Sequence, residues 1–275
     1  GIENIEVYNM KRKKVLIVLI LLTIVSLVAG ILIKPPGAEE SIKQVMKDAV
    51  IHNINHISFF DIEVNPAVIS GFIVTLVLLL GALLIRVFVI PKFSYIPKKF
   101  QLILETVVGY FKNLAKTNSP EKNYFLGVYV FSVGTYIFVS TLFELLGIQA
   151  ITTTGSSISL PAPISDINSA ISLGVISYLV ILSGGISSNG FKGILKTLKE
   201  FSLPVSMSFR LFGALLSGLL VNELVYYFVR LSFILPVIVA VLFTLLHALI
   251  QAYVLTMLTA LFYGEVSEKS VKKID

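Results

Sequence analysis

A chain of 275 residues that is 56% hydrophobic and 14% charged, with a mean hydropathy of +0.90, is too apolar for one soluble core. Its net charge of +6 comes from basic residues scattered between apolar runs, the distribution of membrane-flanking loops, so a nucleic-acid partner is excluded. There is no cysteine for a disulfide or a thiolate metal site, and the three histidines do not form a metal set; no metal and no cofactor is expected.

Residues 1–9 are a polar stub, and Met10 before Lys11, Arg12, Lys13 and Lys14 reads as a natural start. Val15–Ile33 carries no charge over 19 residues, enough to cross a bilayer. It is long for a signal peptide, and Leu27 stands where a cleavage site wants a small residue, so residues 1–34 are read as a stub and a retained anchor helix. Residues 35–65 form a mixed-charge extracytoplasmic loop. His52 and His56 in that loop lie one turn apart, but without a third ligand they are read as solvated.

The membrane domain is expected over residues 66–265. Pro66–Ile90 is the second span. Pro97–Lys116 is an amphipathic interfacial helix: Phe100, Ile103, Leu104, Val107, Val108, Phe111, Leu114 and Ala115 recur on one face, with Lys98, Lys99, Gln101, Glu105 and Lys112 on the other. Tyr124–Ile148 is the third span, with Glu144 near its far end. Gln149–Ser165 reads as an uncharged linker, and Ile167–Ile186 is the fourth span, entered through Asp166 and Asn168. Ser187–Glu200 reads as a Gly/Ser and Lys-rich loop. Leu203–Val229 and Ser232–Tyr263 form a final hairpin turned near Arg230 and Pro236, and residues 266–275 are a charged tail. The fold class is therefore all-α and polytopic in the lipid bilayer. The main clusters of loop lysines and arginines fall on one side if six spans cross, and the opposite side receives an uncharged loop, Arg230 and the mixed first loop. The positive-inside rule therefore puts both termini in the cytoplasm.

One residue inside these spans needs an explanation. Arg210 sits about two turns into a membrane-length helix that starts near Pro204, too deep to reach the near interface comfortably. An arginine at such a place costs roughly 2.5–3.5 kcal/mol on insertion scales. It is kept where it faces a polar cavity or an opposite charge.

The stretch Pro204-Val205-Ser206-Met207-Ser208-Phe209-Arg210-Leu211-Phe212-Gly213 resembles the signature of subunit a of the F-type ATP synthase, bacterial type. Pro163-Ile164-Ser165-Asp166-Ile167-Asn168 and Leu249-Ile250-Gln251-Ala252-Tyr253-Val254-Leu255 resemble two further helices of that family in the right order. The resemblance covers most of residues 57–265 and implies five family spans plus the amphipathic helix, with the N-terminal anchor as an extra. It implies an ion-translocating stator subunit, not an enzyme, in a bacterial inner membrane. Its partners are a ring of c subunits, the subunit b stalk and the other ATP synthase subunits. Arg210 then separates two half-channels to the ring carboxylates, Glu144 and Gln251 stand at positions the family uses, and Asn168 is a further candidate along the ion path. The coupling ion is H+ by default, with Na+ open.

The chain departs from the family at Ala214, where relatives usually carry Asn, at Leu219, where many carry Glu, and at Thr244, where many carry His or Glu. Glu223 lies one turn beyond Leu219 and His247 three residues beyond Thr244, so the polar groups are displaced rather than lost. Because the helices are antiparallel, the two displaced groups separate by about nine residues, roughly 13 Å. They are expected to communicate through water, not by contact. The competing reading is a stand-alone membrane enzyme or carrier in which Arg210, Glu223 and His247 converge on a closed pocket.

Overall fold

Proline just after an asparagine signals a helix start, and the membrane domain begins on that signal. The Asn65 side chain accepts from the Ala67 amide at 2.9 Å, and α1 runs Pro66–Leu84. The computed structural model describes residues 57–59, 62–120, 123–151, 157–227 and 235–268, with five separate positions between 17 and 28. All but those five positions of the expected anchor span, the early histidines, Arg230 and the end of the tail lie outside the described residues.

Before α1, β1 (Ile57–Phe59) and β2 (Ile62–Val64) pair antiparallel. A π-turn at Ile85–Val89 and a 3-10 turn at Ile90–Lys92 carry the span on. Next come α2 (Lys99–Asn118) and α3 (Asn123–Leu142), the latter closed by a 3-10 turn at Phe143–Leu146. A second antiparallel pair, β3 (Gln149–Ile151) and β4 (Ser157–Ser159), leads through a 3-10 turn at Pro163–Ser165 into α4 (Ile167–Asn189). The remainder is α5 (Phe191–Lys199), α6 (Ser202–Tyr227) and α7 (Leu235–Ser267). Among the described residues, four helices are long and apolar enough to cross a membrane: Pro66–Lys92, Tyr124–Leu146, Ile167–Asn189 and Val241–Ser267. At 26 residues, α6 reaches about 39 Å, also membrane length.

The sequence reading needs correction at three places. Gln149–Ser165 contains a short hairpin instead of a free linker, because Gln149, Ala150 and Ile151 find ladder partners in Ser159, Ile158 and Ser157. Ser187–Glu200 contains α5, whose apolar residues recur at helical spacing but over too few turns to stand out. The last helix runs on to Ser267 because Tyr263 and Val266 are buried in the core.

Two compact units divide the chain, residues 54–216 with 244–275 and residues 1–53 with 217–243. In the larger unit one core joins Val130 and Ile137 of α3, Ala170 and Ile181 of α4, Met207 and Leu211 of α6, and Leu255 and Tyr263 of α7. Phe111 of α2 meets Phe131 of α3 edge to face at 5.7 Å. A second cluster closes around Val74, Phe143 and Leu160. The described part of the smaller unit includes the last turns of α6 and the first turns of α7.

Lipid supplies no hydrophobic drive between helices, so close approach depends on small residues. A methyl group on Gly174 of α4 would stand 2.4 Å from Ser208 Oγ and 2.8 Å from the Pro204 carbonyl oxygen of α6. Any side chain at Gly174 forces α6 away. A methyl group on Gly193 of α5 would stand 2.0 Å from the Gly185 carbonyl oxygen of α4, and Gly190, with a φ of 57°, makes the turn between these two helices.

The two ends of the larger unit differ in chemistry. At one end Asp166 caps α4, accepting from the amides of Asn168 at 2.6 Å and Ser169 at 3.3 Å, and Asn65 donates to its other oxygen. At the other, Asn189 Nδ2 donates to the carbonyls of Val266 at 2.8 Å and Glu268 at 2.9 Å, and Lys196 Nζ donates to the Glu268 carbonyl at 3.1 Å. These bonds satisfy the free carbonyls at the end of α7 from outside the helix. Asn189→Ala is expected to destabilise the chain by about 1–2 kcal/mol, the net worth of two modest hydrogen bonds. Thermal unfolding of the purified protein in detergent reads it, and an unchanged midpoint refutes the capping role.

Candidate functional site

Arg210 lies on the open side of α6. Within the larger unit, Leu203, Pro204, Met207, Ser208, Leu211 and Leu215 turn into the core, and Ser202, Val205, Ser206, Phe209, Arg210 and Gly213 remain exposed. The Gly174 contact fixes this rotation, since Pro204 and Ser208 are held against α4 six and two residues before the arginine. Phe209 beside it is 64% exposed, and among the described residues nothing lies within 4 Å of a methyl group placed on Gly213. The guanidinium therefore stands on an open surface with small neighbours at the preceding and following turns. Among the described residues it has no hydrogen-bond or ion-pair partner.

Gln251 of α7 is in the opposite situation. It is 7% exposed, and its Oε1 lacks a hydrogen-bond partner among the described residues. Such an orphan costs about 1–3 kcal/mol unless something else satisfies it. Arg210 does not donate to that oxygen, so the two residues share one packed body without this bond. His247 is half-buried one turn earlier on α7, next to fully buried Ala248. Between and beyond these, Leu245, Leu246, Leu249, Ile250 and Tyr253 are exposed, so α7 also presents an apolar open face.

Glu144 and Asn168 are brought to the same end of the larger unit. Glu144 sits exposed in the 3-10 turn after α3, closed by the Gly147 amide bonding its carbonyl at 3.3 Å, with Gly147 left-handed at φ 55°. Asn168 is exposed in the first turn of α4. The turn at Pro163–Ser165 packs on both α1 and α3, which gathers Asn65, Glu144, Asp166 and Asn168 at that end. Segments 57–66 and 143–168 contain Asp61, Glu63, Glu144 and Asp166 but no lysine or arginine. The opposite end holds Lys192, Lys196 and Lys199, and Arg86 and Lys92 lie in the last turns of the span that starts at Asn65. Glu223 belongs to α6, 13 residues after Arg210 in sequence.

The Asn65–Asp166 link escaped the sequence reading, which took Asn65 as the end of a loop. Its signal was the Asn-Pro start; what paired it with Asp166 is tertiary. Against known proteins, a family model described as ATP synthase A chain matches residues 68–264.

Proposed function

Because the chain belongs to the ATP synthase A chain family, a family of ion-translocating membrane subunits, we propose that it forms two half-channels to a ring of c subunits, kept apart by Arg210. The observation that carries this reading is the open placement of an intramembrane arginine with no protein partner among the described residues. A guanidinium stays ionised under all ordinary conditions, and a lone cation facing hydrocarbon is costly. A carboxylate on a neighbouring subunit resolves that cost. It also explains the work: Arg210 attracts an emptied ring carboxylate, displaces its ion as the site arrives, and repels a cation crossing directly from one half-channel to the other.

The outer half-channel is entered at the acidic end through Glu144 and Asn168 and passes Glu223. The buried Gln251 amide and His247 continue the polar line inside the core, with water satisfying the orphaned Gln251 oxygen. The basic end faces the cytoplasm of a bacterium, as do both termini. Subunit b holds the chain as part of a stator, and the synthesis of ATP takes place on other subunits of the complex rather than here. The enzyme or carrier reading needs Arg210 inside a closed pocket; its place on an open face favours a partner instead.

ATP-driven ion uptake by the assembled complex in liposomes, with and without Na+, tests the reading and identifies the ion, H+ being expected. In that assay Glu223→Gln is expected to slow uptake about tenfold or more, the scale of losing one proton relay. Leu219→Glu added to Glu223→Gln restores part of the rate by rebuilding a carboxylate one turn away. Full activity in Glu223→Gln alone removes Glu223 from the path.

A further inference from the structure

The short helix α5 has three distinct faces. Gly193 and Thr197 are buried against α4, with the Thr197 hydroxyl bonded back to the Gly193 carbonyl at 2.9 Å and the Tyr178 hydroxyl donating to the Thr197 carbonyl at 3.0 Å. Phe191, Leu195 and Leu198 follow one another at successive turns and are open, Phe191 at 75%; Phe201, just past the helix, is open at 67%. Lys192, Lys196 and Lys199 repeat at the same spacing between the buried and the open apolar faces. No acidic residue lies within α5, and Glu200 just beyond it is half-buried.

The packing also fixes where α5 lies. A methyl group on Gly185 would stand 2.9 Å from Thr197 Oγ1 and 3.0 Å from the Gly193 carbonyl oxygen. Thr197 Oγ1 is bonded to that same Gly193 carbonyl, so the two atoms make one contact point, and Tyr178, two turns earlier on α4, reaches the Thr197 carbonyl; α5 therefore packs against the last turns of α4. Gly185 is four residues from the end of α4, about 6 Å of rise. The helix is therefore held at the end of a spanning helix, near the depth of a membrane interface.

We propose that α5 is a docking helix for anionic phospholipid. Its open stripe of Phe191, Leu195 and Leu198 enters the acyl boundary, and Lys192 and Lys199 hold the phosphodiester of the headgroup. Charge selects this occupant: a row of three lysines with no acid inside the helix attracts an anion, and an apolar stripe beside it demands hydrocarbon, a combination that an anionic lipid provides in one molecule. Lys196 is committed elsewhere, to the carbonyl at the end of α7. The inference is independent of the ion path.

The chain has no cysteine of its own, so Leu195→Cys gives a single site for a bimane label in the full chain. The labelled chain is reconstituted in phosphatidylcholine vesicles containing traces of phosphatidylglycerol or phosphatidylcholine with a doxyl quencher high on the acyl chain. Quenching is expected to favour phosphatidylglycerol. Each lysine near an anionic headgroup contributes roughly fivefold, so Lys192→Gln with Lys199→Gln brings the preference close to unity, and Lys192→Arg with Lys199→Arg keeps it. Equal quenching by the two lipids without these substitutions, or a preference that survives the double glutamine change, overturns the proposal. So does a label that neither lipid reaches, which is the outcome if a protein partner covers α5.

Discussion

Arg210→Ala is expected to abolish ATP-driven ion uptake by the assembled complex while the chain remains in the membrane. The substitution removes a charge that costs roughly 2.5–3.5 kcal/mol to insert, and it breaks no hydrogen bond or ion pair among the described residues. Folding therefore has little to lose. What disappears is the attraction for an emptied ring carboxylate and the barrier to a direct leak, so passive ion flux through the complex should persist or rise as pumping falls to background. Arg210→Lys should fail as well: an ammonium is a compact charge whose pKa drops on burial, and it lacks the guanidinium's planar fork. Dye-monitored uptake and leak in the same vesicles separate the two effects. Coupled pumping at the normal rate in Arg210→Ala would end the proposed mechanism.

Gly213→Leu is expected to separate folding from function in the opposite sense. Among the described residues nothing lies within 4 Å of a methyl group placed on Gly213, and the residue is exposed. Leucine also favours a helix interior over glycine by about 1 kcal/mol. The isolated chain should be as stable as before, or slightly more so. If the Arg210 face is pressed against a moving partner, the added side chain collides with it, and overpacking of 1–3 kcal/mol lowers the coupled rate by about tenfold or more. Gly213→Ala, which adds one carbon, should fall between. A Gly213→Leu complex that pumps normally would mean that no partner approaches this face closely. Gly174→Leu is the control, because that glycine is filled from within the chain by Ser208 and Pro204, and its loss should unfold the chain before transport can be measured.

The spans were legible because lipid leaves a chain few choices. With no water to satisfy backbone groups, long uncharged runs must be helices, and Pro66, Asp166 and Pro204 punctuate them in ways the sequence displays. The amphipathic periodicity of Lys99–Asn118 was equally plain. Two segments misled: the nine residues of α5 are too short for periodicity to rise above a Gly- and Lys-rich loop, and β3 with β4 owes its pairing to partners across a turn rather than to its own residues.

For the candidate site the sequence determined which residues are chemically out of place: an arginine, a glutamine and a histidine inside apolar helices cost too much to be incidental. It could not say which way they point. An α-helix carrying one charge among apolar residues looks the same whether that charge turns inward or outward. Only packing decided it, through Gly174 against Pro204 and Ser208, which leaves Arg210 open and Gln251 buried with an unsatisfied oxygen. The same holds for the acidic end, where Asn65, Glu144, Asp166 and Asn168 come together from three helices far apart in the chain. Helical periodicity is a local property, written in any fifteen residues; the rotation of one helix against another depends on contacts that no single segment contains.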